Sequence, residues 1–348
     1  MTDAARRWAL LAALTGVTAV WGLTFVMVKE AIAAYPLYAF LAVRFAIAAV
    51  AFGAMFPRTL RALSDRRLLA VGVLAGTLLT SGYVFQTVGL QYTKASVAAF
   101  ITGLFVVLTP LMEYVFFRRP PGRASALGVA LAVPGMWLLT GADVAAWGRG
   151  EWLLLLCAVA FAAHLVALAG PGRRHDPLAL TLVQLAFTAG VCGAISLATE
   201  RAPLPSSGQV WVALLVTGIL ASAVAFGVQT VALRYLSATR TALILVTEPV
   251  FGGIFGFLLA GEVLGAVGLS GAGLMLGGMV VSEAGRFVRR PHARLVVGIE
   301  GPAVPVADEA ASRRRAGLEQ ARLGPPDTPP RETGDQDRGE RRCGGERG

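Results

Sequence analysis

Three charged side chains stand inside long apolar stretches of this sequence: Arg44, Glu113 and Glu248. A charge at the centre of a bilayer costs about 2.5–3.5 kcal/mol even on insertion-based scales, so charges found there usually serve a ligand, an ion or each other. An arginine stays protonated and can bind a carboxylate, whereas a glutamate can also take up and release a proton. These residue types predict a buried site that binds a small polar molecule.

The composition places these charges in a chain that contacts lipid. Of the 348 residues, 55% are hydrophobic and only 15% are charged, against about one quarter charged in soluble domains. The formal net charge is +10. The basic excess lies in short joints between apolar stretches, and no basic helix or aromatic–basic module is present, which argues against a nucleic-acid partner. The expected partners are therefore the lipid bilayer and a small-molecule substrate.

Ten apolar stretches approach the roughly 20 residues that a helix needs to cross a bilayer. They cover residues 8–28, 37–56, 68–90, 95–117, 124–140, 152–169, 178–198, 210–233, 241–260 and 264–282. The first is long enough to span the membrane, so we interpret it as a helix rather than as a signal peptide. The sequence predicts an all-α membrane protein with ten transmembrane helices.

Basic residues set the predicted orientation. With the N-terminus in the cytoplasm, the opposite side receives only Lys29, Lys94, Arg149 and Arg201. The cytoplasmic side receives Arg6, Arg7, Arg58, Arg61, Arg66, Arg67, Arg118, Arg119, Arg123, Arg173, Arg174, Arg234, Arg240, Arg286, Arg289 and Arg290. Because cytoplasmic loops carry the excess of Lys and Arg, we expect both termini in the cytoplasm and the chain in the inner (plasma) membrane of the cell. Residues 291–348, rich in Pro, Gly and charge, are expected to form a disordered cytoplasmic tail.

The two halves of the chain repeat one another. "FQTVGLQY" from Phe85 recurs as "VQTVALRY" from Val228, and "VRFAIAAVAFGA" from Val43 aligns with "VQLAFTAGVCGA" from Val183. We therefore divide the chain into a first five-helix repeat, residues 8–140, and a second, residues 150–283. Because five is odd, the second repeat enters the membrane from the opposite side. Inverted repeats are typical of secondary transporters, which hold their substrate near the midplane between the halves.

At this point the residues also resemble a known family. "AVWGLTFVMVKEAI", "ASVAAFITGLFVVLTPL" and "TEPVFGGIFGFLLAGEVLGAVGLSGAGLMLGGMVV" are similar to EamA-type transporters of the drug/metabolite transporter superfamily. The resemblance covers residues 8–283. It implies an exporter or exchanger of small metabolites, with a cavity formed by the first four helices of each repeat and with the fifth and tenth helices in support. The first repeat has "FFRRPPG" where the family usually has Gly-Glu, so Glu262 has no symmetric counterpart.

The residues and the resemblance together predict a transporter that exports small metabolites, amino-acid-like compounds or drugs by alternating access. We expect no catalytic residue, cofactor or metal. Pairs aligned between the repeats, such as Arg44 with Gln184 and Gln86 with Gln229, mark inward faces. The cavity candidates are Trp21, Arg44, Gln86, Glu113, His164, Gln184, Gln229 and Glu248. Pro110 and Pro249 remove backbone donors and are predicted to break their helices.

Several alternatives stay open on sequence alone. Each cavity candidate could instead pack or hydrogen-bond between helices. The GxxxG spacings at 261–265 and 273–277 predict close helix packing, or else a homodimer face. An exchanger of phosphorylated or nucleotide-linked metabolites would need more basic residues facing the cavity. A membrane enzyme acting on lipid-linked substrates would need a polar catalytic cluster, and a channel would need a selectivity filter.

Overall fold

The computed structural model describes residues 3–118, 120–140, 147–201, 204–235 and 244–289, and within these ranges every regular element is helical. The prediction of an all-helical chain is confirmed for this part. The helices are α1 (Asp3–Ala34), α2 (Leu37–Met55), α3 (Arg66–Leu90), α4 (Ala95–Gly103), α5 (Phe105–Phe117), α6 (Arg123–Thr140), α7 (Arg149–Ala169), α8 (Pro177–Thr199), α9 (Gly208–Leu215), α10 (Ala225–Tyr235), α11 (Glu248–Ala260) and α12 (Ala266–Arg289). A π-helical segment, Val216–Val224, joins α9 to α10.

Eight helical segments of the described chain are long and apolar enough to cross a membrane, with α4 and α5 together forming one of them. Two further apolar helices, Glu248–Ala260 and Ala266–Ser282, are shorter. The ninth predicted stretch, 241–260, begins in residues that the structure does not describe. Ten crossings therefore remain a prediction, and the predicted tail, 291–348, lies outside the described residues.

Polar caps fix where two of the long helices begin. The Asp65 carboxylate accepts hydrogen bonds from the backbone N–H groups of Arg67 and Leu68 and starts α3. Asp176 accepts from the N–H of Leu178 and starts α8. Such side chains satisfy donors that have no partner inside the helix. We call the end where α3 and α8 begin the inner end, and the opposite end, with the α3–α4 and α11–α12 loops, the outer end.

The packing reproduces the sequence repeat. A Cβ atom on Gly76 of α3 would lie 2.8 Å from the ring of Phe187 in α8, so this glycine lets the two helices meet closely. In the same way Gly218 of the π-helical segment meets Ile47 of α2. Ile47 and Phe187 are equivalent positions, 140 residues apart in sequence. Each repeat therefore uses a glycine of its third span against the second span of the other repeat.

Helices α6 and α12 meet through reciprocal glycines. A Cβ atom on Gly278 would lie 2.6 Å from the carbonyl oxygen of Gly128, and one on Gly128 would lie 2.6 Å from that of Gly278. Gly135 and Gly271 form a second such pair. The backbones are thus in direct contact, seven residues apart along each helix. This pairing joins the fifth and tenth predicted helices to each other.

The packing prediction for the GxxxG spacings is wrong. A Cβ atom on Gly261, Gly265, Gly273 or Gly277 would meet nothing within 4 Å. Gly273 follows Gly271 by two residues, about 200° around the helix, so it points away from α6. The face that carries Gly271 and Gly278 makes the contact instead. A homodimer through the other face stays a prediction.

Candidate functional site

Arg44 is buried near the middle of α2. It follows the first helical residue, Leu37, by seven positions, or about 10 Å along the axis, and only 3% of the residue is accessible to solvent. Its guanidinium carbon lies 4.8 Å from the ring centre of Tyr83 and 5.1 Å from that of Phe45. In the described part of the chain its Nε has no hydrogen-bond partner. A buried guanidinium with a spare donor can accept a ligand acceptor or water.

Tyr83 connects Arg44 with an acid of the second repeat. Its phenol interacts electrostatically with both Arg44 and Glu248, and Glu248 also interacts with Cys157. No ion pair joins Arg44 directly to Glu248 among the described residues. Arg44 and Glu248 therefore share one tyrosine without forming an ion pair with each other. Because Arg44 belongs to the first repeat and Glu248 to the second, this arrangement crosses the boundary between the repeats.

Further polar groups from α3, α4 and α7 complete the site. The Gln86 Nε2 donates to the Thr102 Oγ1 at 3.5 Å, and that hydroxyl lies 4.0 Å from the Cys157 Sγ. Buried polar groups linked in this way hold their helices in one relative position. We call the whole set the central polar cluster: Arg44, Tyr83, Gln86, Thr102, Cys157 and Glu248.

Aromatic rings flank the cluster in pairs that follow the repeat. The Phe161 ring lies 5.3 Å from the Tyr83 ring, and the Trp21 ring lies 6.1 Å from the Phe226 ring, between centres. Phe161 is the equivalent of Trp21, and Phe226 is that of Tyr83. The Trp21 indole N–H donates to the carbonyl oxygen of Ala221 at 2.7 Å. Its polar edge is thus engaged in helix contact, which favours packing over the predicted cavity role.

The chain is interrupted next to Glu248. A turn at Val246–Thr247 precedes α11, and Pro249 occupies the first turn of that helix, where a missing N–H costs least. The hydroxyl of Thr247 lies 3.2 Å from that of Thr18 in α1. Pro110 differs, because α5 continues through it and the interruption of this span falls at Leu104. The structure therefore places one break directly before Pro249 and the other six residues before Pro110.

Four predicted cavity residues lie apart from the cluster. Glu113 is half-buried in α5, one turn before its inner end at Phe117. His164 and Gln184 hydrogen-bond each other, and the Gln184 amide also donates to the Leu180 carbonyl. This bonding matches the alternative of polar contacts between helices. Gln229 is half-buried in α10, and no contact with the cluster is found among the described residues.

Glu262 has a role that the sequence reasoning missed. Its carboxylate accepts from the backbone N–H of Ala95 at 2.6 Å and from the N–H and hydroxyl of Ser96 at 2.8 and 2.7 Å. The Nζ of Lys29 lies 3.8 Å away. Gly261, with a φ of 64°, ends α11 and turns the chain toward α4. A carboxylate at a helix N-terminus satisfies free donors and complements the helix dipole, so Glu262 ties α11 to α4 and α1.

A second glutamate makes a similar connection at the same end. Glu200 accepts from the backbone N–H groups of Tyr38 and Ala39 at 2.9 and 2.8 Å, at the start of α2. Both glutamates belong to the second repeat, and both helix N-termini belong to the first. We call Glu200 and Glu262 with these partners the outer ties. Only tertiary structure brings these residues together, although the Gly-Glu step after an apolar helix was a signal for Glu262.

Comparison with known proteins identifies the family. The EamA-like transporter family matches residues 6–141 and 148–283, one match for each repeat. The chain belongs to the EamA-like transporter family. The sequence resemblance is thereby confirmed, and this EamA-family protein is a multi-pass membrane transporter.

The relatives agree with this assignment. An uncharacterized transporter of Archaeoglobus fulgidus is 31% identical over 265 residues, which cover 76% of this chain and 82% of that protein. A WAT1-related chloroplastic protein of Arabidopsis thaliana is 28% identical over 220 residues, 60% of this chain and 52% of that one. A solved crystal structure superposes with a TM-score of 0.59 at 18% identity, covering 80% of this chain and 98% of the other. That likeness concerns the fold alone.

Proposed function

We propose that this EamA-family transporter exports a small metabolite or amino-acid-like compound that carries an acidic group. The observation that carries the proposal is Arg44, a buried guanidinium at mid-depth whose Nε has no partner among the described residues. Burying a charge without a partner is costly unless a ligand or water supplies one. An acidic group on the substrate supplies that partner.

Glu248 restricts the class of substrate further. Glu248 interacts with the same tyrosine as Arg44 but comes from the other repeat. A ligand with a carboxylate for Arg44 and an ammonium group for Glu248 would contact both repeats at once. A ligand shifts a conformational equilibrium only by its different affinity for the two states. A substrate that bridges the repeats would bind the two states with different affinity, because the distance between its two contacts changes when the repeats move.

The aromatic rings suit the apolar part of such a substrate. Tyr83, Phe161 and Phe105 form a chain of edge contacts beside the cluster, with ring centres 5.3 and 6.5 Å apart. Tyr83 is also the ring over which Arg44 lies. The cluster contains a single cation, Arg44, which fits one carboxylate better than the several charges of a phosphorylated or nucleotide-linked compound.

The outer ties support export. Glu200 and Glu262 hold the outer end of the second repeat to helix N-termini of the first. At the inner end, an inter-repeat ion pair joins Asp65 and His175 at 3.8 Å, and it is charged only when the histidine is protonated. With the outer end held by these two carboxylates, the cluster would load from the inner, predicted cytoplasmic side. From the distribution of arginines between the two ends, we also propose that the protein lies in the inner membrane with both termini in the cytoplasm.

A ligand screen on the reconstituted protein tests the proposal. Purified wild-type protein and Arg44→Gln are heated with each member of a metabolite library, and ligands that raise the unfolding temperature are then assayed for exchange in proteoliposomes. A ligand at 100 times its Kd stabilises by about 2.7 kcal/mol. Compounds with a carboxylate should stabilise the wild type and not the variant. Equal stabilisation of both proteins by compounds without an acidic group would overturn the proposal.

A further inference from the structure

The eighth predicted span contains one residue more than its equivalent in the first repeat. Gly218 follows its equivalent, Gly76, by 142 positions, and both meet the second span of the other repeat. Phe226 follows Tyr83 by 143 positions, and each ring meets the equivalent aromatic of another span. One extra residue therefore lies between Gly218 and Phe226.

The π-helical segment absorbs this residue. Its nine residues, Val216–Val224, enclose the insertion point, and a π-turn takes one residue more than an α-turn. The side chains report the same change. The hydroxyl of Thr80 in α3 donates to a carbonyl four residues earlier, that of Gly76. The hydroxyl of Ser222 donates to a carbonyl five residues earlier, that of Thr217.

The π-helical segment contacts both α1 and the turn of α2 that carries Arg44. The carbonyl oxygen of Ala221, inside the π-helical segment, accepts the indole N–H of Trp21 at 2.7 Å. On its other side, a Cβ atom on Gly218 would lie 2.9 Å from the carbonyl oxygen of Arg44 itself. The segment is thus bonded to α1 and in backbone contact with the turn of α2 that carries the arginine.

The equivalent helix of the first repeat, α3, has neither the inserted residue nor an indole donor nor an arginine at the equivalent positions. Its equivalent segment is regular α-helix, the aromatic residue that meets it is Phe161 without an N–H, and the equivalent of Arg44 is Gln184. The insertion, the indole donor and the buried arginine therefore occur on one side of the pseudo-symmetric pair and are all absent from the other.

We infer that the inserted residue positions Arg44, and that it does so through two positioning residues, Trp21 and Gly218. The bond from Trp21 fixes the π-helical segment against α1, and Gly218 lets that segment press on the backbone of Arg44. The guanidinium is thereby held over Tyr83 with its Nε free. This inference rests on the proposed role of Arg44 as the substrate anchor, but its first test does not require a substrate.

The first test measures the position of residue 44. Cys157, Cys192 and Cys343 are replaced by serine or alanine, Arg44 by cysteine, and the rate of reaction with N-ethylmaleimide is measured on purified protein. Trp21→Phe removes the hydrogen bond to the Ala221 carbonyl, and Gly218→Ala adds a Cβ atom 2.9 Å from the Arg44 carbonyl oxygen. Each should change this rate by about threefold or more. Trp211→Phe is the matched control, because its indole donates to the Pro205 carbonyl at 2.9 Å, in the loop before α9. Unchanged rates in both test variants would overturn the inference.

The second test removes the inserted residue. Deletion of Leu220, which is exposed in the π-helical segment, restores the spacing of α3 and should leave a protein that inserts and unfolds cooperatively. Deletion of the exposed Leu74 from α3 should abolish folding, because it rotates the rest of that helix by about 100°. If the protein without Leu220 fails to fold, the inserted residue is required for folding rather than added to position Arg44, and the inference is wrong.

The third test separates positioning from anchoring. Benzoate is used as a carboxylate probe, and its stabilisation of the wild type, Arg44→Gln, Trp21→Phe and Trp211→Phe is measured by thermal unfolding. Weaker stabilisation of Trp21→Phe than of Trp211→Phe supports positioning. No stabilisation of even the wild type would count against the anchor role of Arg44, while the thiol reactions would still decide the positioning role. Equal stabilisation of Trp21→Phe and wild type would contradict positioning.

Discussion

The guanidinium of Arg44 lies over the ring of Tyr83, with 4.8 Å between the guanidinium carbon and the ring centre. Cation–π contacts at this distance are favourable when both groups are removed from water, and the Tyr83 phenol also hydrogen-bonds the guanidinium. Glu248 of the second repeat interacts with the same tyrosine. Tyr83 therefore holds the arginine while the Arg44 Nε has no hydrogen-bond partner among the described residues, and this donor is available to a substrate.

Glu248 and Glu113 should differ in a pH-dependent assay. Glu248 belongs to the central polar cluster, whereas Glu113 lies one turn from the inner end of α5. If transport is coupled to protons, Glu248→Gln should remove the pH dependence of exchange in proteoliposomes, because the glutamine cannot titrate. Glu113→Gln should keep the wild-type profile. A wild-type profile in both variants would exclude proton coupling through either acid.

Glu262→Gln should destabilise the folded protein. The side chain of Glu262 is 8% exposed and accepts three hydrogen bonds at the start of α4. Loss of the charge weakens these bonds and the ion pair with Lys29, with a cost of about 1–3 kcal/mol. Thermal unfolding in detergent measures the effect. Glu30→Gln is the control, because Glu30 is exposed at the same end and bonds only Gln209 in the described contacts; similar losses in both variants would refute the role of the outer ties.

The role of Glu262 illustrates what the sequence could not provide. Its partners, Ala95 and Ser96, are more than 160 residues away, so no local pattern joins them. Charges inside apolar stretches were visible directly, because a bilayer makes each one costly. That reasoning selected Arg44, Glu113 and Glu248 alike, since periodicity gives the face of a helix and not its depth in the assembled structure. The structure brings Arg44 and Glu248 to one tyrosine, and the role of all three stays a prediction.

Two adjacent glycines should respond differently to the same substitution. Gly278→Val places a side chain where a Cβ atom alone would lie 2.6 Å from the Gly128 carbonyl oxygen. Overpacking of this kind costs about 1–3 kcal/mol, and α6 must move away from α12. Gly277→Val points into open space and should leave the unfolding temperature nearly unchanged. Equal destabilisation by the two valines would contradict the packing of these helices.

The glycines of α12 also show what a sequence motif cannot predict. The repeated GxxxG spacing in α12 was plain in the sequence, yet the contact uses Gly271 and Gly278, seven residues apart. Which glycine face is used depends on the partner helix, and α6 offers Gly128 and Gly135 at the same spacing. The inserted residue of the eighth span was likewise present as a change of offset from 142 to 143, but only the π-helical geometry gives it a location.

The predicted orientation can be tested on exposed loop residues. Cysteines replacing Ser64 and Ser206, in a protein without its native cysteines, should react differently with an impermeant thiol reagent in intact cells. Ser64 precedes α3 at the inner end and Ser206 precedes α9 at the outer end, so only the latter should be labelled. Labelling at Ser64 and protection at Ser206 would reverse the orientation derived from the arginines.

The central claim is that Arg44 binds the acidic group of the substrate. The most direct measurement compares transport of one identified substrate and of its uncharged amide analogue by wild type and Arg44→Gln in proteoliposomes, with equal amounts of folded protein. Removing one partner of a buried charge pair costs about 2–5 kcal/mol, so the variant should transport the acid at least about thirtyfold less efficiently and lose the preference for acid over amide. An unchanged preference in Arg44→Gln would contradict the account.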